Sequence, residues 1–564
     1  MHKVKTILPL IICLSATVLF SQDDILWGDA VPENWNGTWP EEMRTACEKA
    51  DFAHTATNQD ILEYFAMLRW NSENVHIINA FISDRGRTCP VLVLSNPRVT
   101  SAKEAKESGK AIVYLQGGIH PDECEGKEAL LMIIRDILFG EKKYLLDNLI
   151  IMICPNLNVD GNETRVVNFD LPKLTGIRHN ALGYDLNRDA LKVESTNLQG
   201  IYKNVYNDWD PVLVYDTHRM GSPRHGYAIV YAGANVATAH SGPRDYVTNK
   251  MFPEIRRTVR ENGKIETFFH AGLDNDWPPT EFSHDRAYWT AEGKFMASSY
   301  ALRNRMAIIV ETPGSESFER MIYASYVFTN ELLEYCHKHG KEMKEVCQKA
   351  EEEVVESIRS NAATGELKNF VEGEYVSAGK ADVLAYKSVK REYVEGTSIR
   401  RRNPEELATP PELIPNVDLL IKTVGTKEAT VPRGYLIPAD LGHIVDKLRI
   451  MNVKVVVLDK PVKASGEEFL INKLYYTKGG FAGYDMTRLD GVFARAESKE
   501  LPAGTFLVDM AQPLANVIFY CLEPEIGDGF LGWNLLDDYL KASGVNERSI
   551  VYPIYKYFEI NDVE

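Results

Sequence analysis

Between about residues 45 and 330 the chain alternates short, nearly continuous apolar runs with longer amphipathic ones. Ala111–Leu115 (AIVYL), Leu149–Cys154 (LIIMIC), Val212–Tyr215 (VLVY) and Ala307–Val310 (AIIV) are rich in β-branched residues, as strands buried on both faces of a sheet require. Helical patterns separate them. From Pro121 to Phe139 the apolar positions Ala129, Leu130, Ile133, Ile134, Ile137 and Leu138 fall on one helix face, and Gly140 supplies a stop. Asp245–Asn262 is a second candidate helix. This alternation predicts an α/β fold: a mixed, mostly parallel sheet flanked by helices.

The texture changes further on. Thr329–Ile358 is rich in Glu and Lys at helical spacing and predicts a long surface helix. After Asn361 come strand-like runs at Leu419–Val424, Val453–Val457 and Thr505–Val508, and helical ones at Leu441–Met451 and Leu535–Ala542. Arg400–Pro415, with four prolines, reads as a loop, Arg400–Arg402 as a solvated turn within it, and Gly479-Gly480 as a turn signal. The expected division is a signal peptide over 1–21, a first domain over 22–360, and a smaller mixed α/β accessory domain over 361–564.

The signal peptide is read from Lys3 and Lys5, the apolar run Ile7–Phe20 and the small Ser21 before Asp23 and Asp24. It implies a secreted or periplasmic protein, cleaved near Ser21. No later run reaches the roughly 18 apolar residues of a membrane span, so no stable membrane anchor is expected. With 80 acidic against 63 basic residues in 564, the net charge is −17. A field of that sign repels polyanions, which argues against nucleic acid as a partner. Cys13 leaves with the signal. The seven other cysteines include no CxxC pair, and a Cys336–Cys347 bridge is an open option.

Each buried run delivers polar residues at its carboxyl end, the edge where ligands bind in open α/β sheets. AIVYL leads into Gly117-Gly118-Ile119-His120-Pro121-Asp122-Glu123, LIIMIC into Pro155-Asn156-Leu157-Asn158-Val159-Asp160-Gly161, VLVY into Asp216-Thr217-His218, and AIIV into Glu311-Thr312-Pro313-Gly314. His120 and Glu123, with Pro121 as a natural first helical residue, start a metal site that His218 completes. Taken singly, Glu123 serves equally as a helix cap and His218 as a core histidine. Two His and one Glu leave a position open for water, as catalytic zinc sites do.

These segments, with Gly183-Tyr184-Asp185-Leu186-Asn187-Arg188-Asp189, stand in the order of the carboxypeptidase A-like zinc carboxypeptidases. The chain resembles that family over residues 45–330, in its bacterial secreted form with an extra C-terminal domain. The resemblance implies one zinc ion on His120, Glu123 and His218, and Glu311 as general base and acid. It implies Asn187 and Arg188 as the grip on a substrate carboxylate and Arg178 as the group polarising the scissile carbonyl, with Arg165 a competitor. It implies Tyr288 as the residue capping the substrate, with Tyr300 a competitor. Asp160 and Asp189 depart from the family's usual neighbours. Asp216 is a candidate support for His218, and Asp185 and Asp189 for Arg188. His179, His225, His270 and His284 have no ligand spacing and read as surface or structural.

The implied activity is release of C-terminal residues from a peptide or muropeptide with a free terminal carboxylate. Two other readings stay open: a zinc amidohydrolase deacylating small N-acyl amino acids, and a catalytically silent binding protein. The side-chain preference, oligomeric state and role of residues 361–564 are not legible.

Overall fold

The computed structural model describes residues 24–168, 172–388, 391–393, 400–402, 409–478, 485–545 and 550–562. The expected signal peptide and Gly479-Gly480 lie outside them. Eight strands form the central sheet: Val75–Ile82 (β1), Thr88–Leu94 (β2), Ala111–Gln116 (β3), Leu149–Cys154 (β4), Leu213–Met220 (β5), Ile229–Gly233 (β6), Thr267–Phe269 (β7) and Met306–Pro313 (β8). Their order is β1-β2-β4-β3-β5-β8-β6-β7. The middle four, β4, β3, β5 and β8, are mutually parallel. Their carboxyl ends therefore share one edge. They are the four apolar runs of the sequence, and β3 and β4 are buried at every position. The mixed, mostly parallel sheet expected from sequence is what forms.

Helix α1, Glu125–Phe139, covers one face and is buried over nearly its whole length. It starts four residues later than Pro121, so His120–Glu123 form a turn before the helix instead of its first turn. The second predicted helix runs as Ser241–Tyr246, a π-helical turn at Val247–Met251, and Phe252–Gly263. Helix α2 spans Phe318–Asn361, about 66 Å at 1.5 Å per residue. Its sequence suggested a solvated face, but Leu332, Leu333, Cys336 and Met343 are core residues in one cluster with Ile133 and Leu149. Only its later turns carry the Glu- and Lys-rich surface. Cys336 and Cys347 both lie on this helix, eleven positions and about 16 Å of rise apart, so no bridge between them can form.

Beyond α2 the strands are long. Lys368–Ala385 (β9) and Glu412–Thr430 (β10) pair antiparallel, as do Val462–Thr477 (β11) and Met486–Leu501 (β12). Arg400–Arg402 pairs with Arg391–Tyr393, and β10 begins at Glu412, so two parts of the expected Arg400–Pro415 loop are strand. The β9/β10 hairpin joins Glu281–Ser283, near the cleft, through a parallel pairing of Phe282 with Leu419. A second sheet, built around β11 and β12, packs with Gly442–Ile450, Ala515–Leu522 and Asp537–Ala542. One apolar cluster runs from Tyr114 on β3 through Tyr300 to Phe519 and Tyr435. The C-terminal sheets thus share a core with the central sheet.

Candidate active site

Backbone geometry assembles the site at the shared strand edge. Glu311 on β8 is the register partner of His218 on β5. The turn after β3 carries His120 and Glu123, with Gly118 at φ +59°. A side chain at Gly118 would meet Asn156 Oδ1 at 2.7 Å. Gly126 lets α1 approach β5: a Cβ there would lie 2.1 Å from Thr217 Oγ1. That close packing brings Glu123 to His218.

One Glu123 oxygen, Oε2, is 3.1 Å from His120 Nδ1 and 2.9 Å from His218 Nδ1. The opposite ring nitrogens face further carboxylates: His120 Nε2 is 3.0 Å from Asp185 Oδ1, and His218 Nε2 is 3.0 Å from Asp216 Oδ2. All three side chains are buried, and their candidate ligand atoms lie within 4.8 Å of one another. Burial opposes a charge on His120, but Glu123 and Asp185 raise its pKa; burial likewise opposes His218, which Asp216 and Glu123 carry well above its ordinary value. When each Nε2–H donates to its aspartate, both Nδ1 lone pairs converge on a carboxylate oxygen. Three such donors in one buried place are the chemistry of a divalent-cation site. The donor set therefore fits zinc.

Glu311 stands beside this group. Its Oε2 is buried without a hydrogen-bond partner among the described residues. Burial pushes the carboxyl up to about 8, a rise that His218 moderates and Glu123 reinforces. Arg178 donates to Glu123 Oε1 at 3.1 Å and to Asp185 Oδ2 at 3.0 Å. Its rival Arg165 instead reaches the Ala56 carbonyl at 3.2 Å. Arg188 is buried, its guanidinium carbon 4.6 Å from the centre of the Phe295 ring. Asn187 accepts a hydrogen bond from Met296 N at 2.9 Å.

A cavity of about 500 Å³ joins His120, Glu123, Arg178, Asn187, Arg188, His218 and Glu311 to Tyr288. Tyr288 is 79% exposed and holds a left-handed backbone, φ 59°, a strained conformation for an aromatic residue. Tyr300 is buried instead, its hydroxyl donating to the Pro211 carbonyl at 2.5 Å. A larger cleft of about 750 Å³ lies by Ile112 and Val212, at the amino ends of the strands. Among the described residues it gathers no metal-ligating group.

Several members of the site were underrated by sequence reading. Asp185, offered as a partner of Arg188, contacts His120 and Arg178. Its position two before Asn187 was the available signal. Asp216 does sit against His218. Arg219 donates its backbone N–H to Glu123 Oε2 at 3.2 Å and pairs with Glu125 at 3.7 Å. His270 lines the cavity near Trp289, and burial drops its pKa to about 3, aided by His284. It is a neutral wall residue.

A buried His-Glu-His group at the strand edge of an α/β sheet, open to a cavity, defines a metal-dependent hydrolase. Residues 61–215 match the zinc carboxypeptidase family. The chain is 24% identical over 504 residues to carboxypeptidase 2 of Trichophyton rubrum, covering 85% of this chain and 84% of that protein. Carboxypeptidase 2 of Trichophyton tonsurans is 23% identical over the same shares. Among solved structures, a metallo-carboxypeptidase from Pseudomonas aeruginosa in complex with (2-guanidinoethylmercapto)succinic acid aligns at 16% identity and TM-score 0.38, over 51% of this chain and 70% of that one. One from Burkholderia cenocepacia aligns at 15% and 0.37, over 50% and 70%.

Proposed function

We propose that the protein is a secreted or periplasmic carboxypeptidase that removes the last residue from peptides or muropeptides with a free terminal carboxylate. The observation carrying this reading is that Arg188, the His-Glu-His group and Glu311 open onto one cavity. His120, Glu123 and His218 hold one zinc ion. Zinc supplies a Lewis acid and makes water acidic near neutral pH.

Arg188 receives the substrate carboxylate through its planar fork, with Asn187 and Tyr288 completing the grip. This places the last amide bond beside Glu311. As water attacks the carbonyl, Glu311 accepts its proton and passes one to the leaving nitrogen, so the C–N bond breaks to an acid and an amine. Arg178 stabilises the charge that develops on the carbonyl oxygen. The raised pKa of Glu311 suits a group that takes up and then returns a proton. The chain divides into a signal peptide over 1–21, a catalytic unit over 22–360 and an accessory unit over 361–564.

A peptide-library digest read by mass spectrometry, with wild type beside Glu311→Gln, tests the reading. Stepwise loss of single C-terminal residues by wild type, absent in Glu311→Gln and absent for amidated peptides, is expected. Equal cleavage of amidated peptides, or cleavage only of small N-acyl amino acids, would overturn it.

A further inference from the structure

The side of the cleft at Arg188 is held from outside the central sheet. Residues 288–296 run along it: Phe295 lies against Arg188, Trp289 packs on Phe295 at 4.5 Å between ring centres, and Met296 N donates to Asn187. Two residues of this segment bond to the C-terminal unit. Gly293 N donates to Tyr520 Oη at 2.7 Å, and Lys294 N donates to Asp528 Oδ2 at 2.8 Å. Tyr520 in turn donates its hydroxyl hydrogen to Asp528 Oδ1. All these groups are buried, and a Cβ at Gly293 would stand 2.6 Å from the Tyr520 ring. The segment thus rests directly on the ring. The same unit also reaches the chain just beyond Arg188: Lys447 Nζ donates to the Lys192 carbonyl at 2.6 Å, and Lys192 lies over the Trp533 ring at 5.4 Å.

We propose that Tyr520 and Asp528 are positioning residues for substrate binding, fixing residues 293–294 so that Phe295 and Met296 hold Arg188 and Asn187 in place to receive the substrate carboxylate. The C-terminal unit therefore braces the wall of the cleft from behind. The proposal rests on Arg188 being the carboxylate's partner. Buried hydrogen bonds that satisfy backbone N–H groups are costly to break. Because neither residue touches the substrate, the loss falls on the precision of the grip.

The test compares Tyr520→Phe, Asp528→Asn and Gly293→Ala with Tyr552→Phe, a buried tyrosine of the same unit whose hydroxyl bonds the Leu522 carbonyl. A roughly fivefold to tenfold rise in KM for a free-carboxylate peptide is expected for the first three, the scale of one lost hydrogen bond. The kcat should hold within about twofold, and Tyr552→Phe should leave KM unchanged. Phe295→Ala combined with Tyr520→Phe should raise KM by less than the product of the single effects, since both act through one contact. An unchanged KM in Tyr520→Phe, or additive effects with Phe295→Ala, overturns the proposal. Arg188→Ala with unchanged KM overturns the underlying reading instead. If Asp528→Asn does not fold, Tyr520→Phe and Gly293→Ala decide the matter.

Discussion

Glu311 and His218 face each other across two parallel strands, register partners at the carboxyl ends of β8 and β5. Directly opposed residues in a ladder present their side chains to the same face. The metal-ligand candidate and the candidate base are thus spaced by the sheet's own hydrogen bonds, the most rigid support a site can have. Glu123 approaches both from the turn that precedes α1. The carboxylate that meets the histidines and the one that raises the Glu311 pKa are one group.

Glu311→Gln keeps the shape of the side chain and removes its ability to take a proton. The kcat should fall by about 10²–10⁴-fold, with bound zinc still stoichiometric by elemental analysis. Loss of zinc together with activity would make Glu311 part of the metal site.

Asp185 and Asp216 each hold the outer nitrogen of one histidine. Asp185→Asn and Asp216→Asn should each weaken zinc binding by about 10–100-fold, measured by competition with a chromogenic chelator. They should differ in one respect. Asp185 also accepts from Arg178, so zinc-saturated Asp185→Asn should keep a lowered kcat, whereas saturated Asp216→Asn should recover.

The extent to which sequence carried this arrangement follows from what each signal measures. Continuous β-branched runs mark strands buried on both faces, so β3, β4, β5 and β8 were legible, and with them the loops bearing His120, Glu123, His218 and Glu311. Pro121 was a poor guide because the turn at His120–Glu123 ends in Cys124, and α1 begins only at Glu125. Of the long strands β9–β12, only Leu419–Val424 within β10 was legible. Glu372, Glu374 and Lys380 on β9, for example, break any apolar alternation, and pairing with β10 supplies what the pattern lacks. Tyr520 and Asp528 were invisible because their partners lie more than two hundred positions away.

All seven cysteines among the described residues are free and buried. Cys89 and Cys154 are close, at 3.6 Å between sulfurs, but far beyond a disulfide bond of about 2.05 Å. Burial raises the Cys89, Cys336 and Cys521 thiols, with those of Cys336 and Cys521 held above any working pH. The native protein should therefore react negligibly with an aromatic disulfide reagent over minutes and expose its thiols in guanidinium. Dithiothreitol should leave Tm unchanged. A Tm drop on reduction would reveal a bridge.

Asp528 gives the fold a pH dependence of definite sign. Burial lifts its carboxyl from the ordinary value near 3.8 to about 6, with Glu292 adding to the rise and Lys294 opposing it. The folded chain thus binds this proton more tightly than the unfolded one. Linkage makes the associated stabilisation complete below about pH 4 and progressively lost as pH rises through 6. Two pKa units correspond to roughly 3 kcal/mol at most, at about 1.4 kcal/mol per unit. Asp528→Asn cannot ionise, so its Tm relative to wild type should rise as pH goes from 4 to 7 and then level off. The test is paired thermal melts across that range, read as the difference between the two proteins so that other titrating groups cancel. A difference that stays flat from pH 4 to 7 would mean that Asp528 ionises in the folded protein as readily as in the unfolded chain. The carboxylate under Lys294 would then be solvated, and the support it gives to residues 293–294 correspondingly weaker.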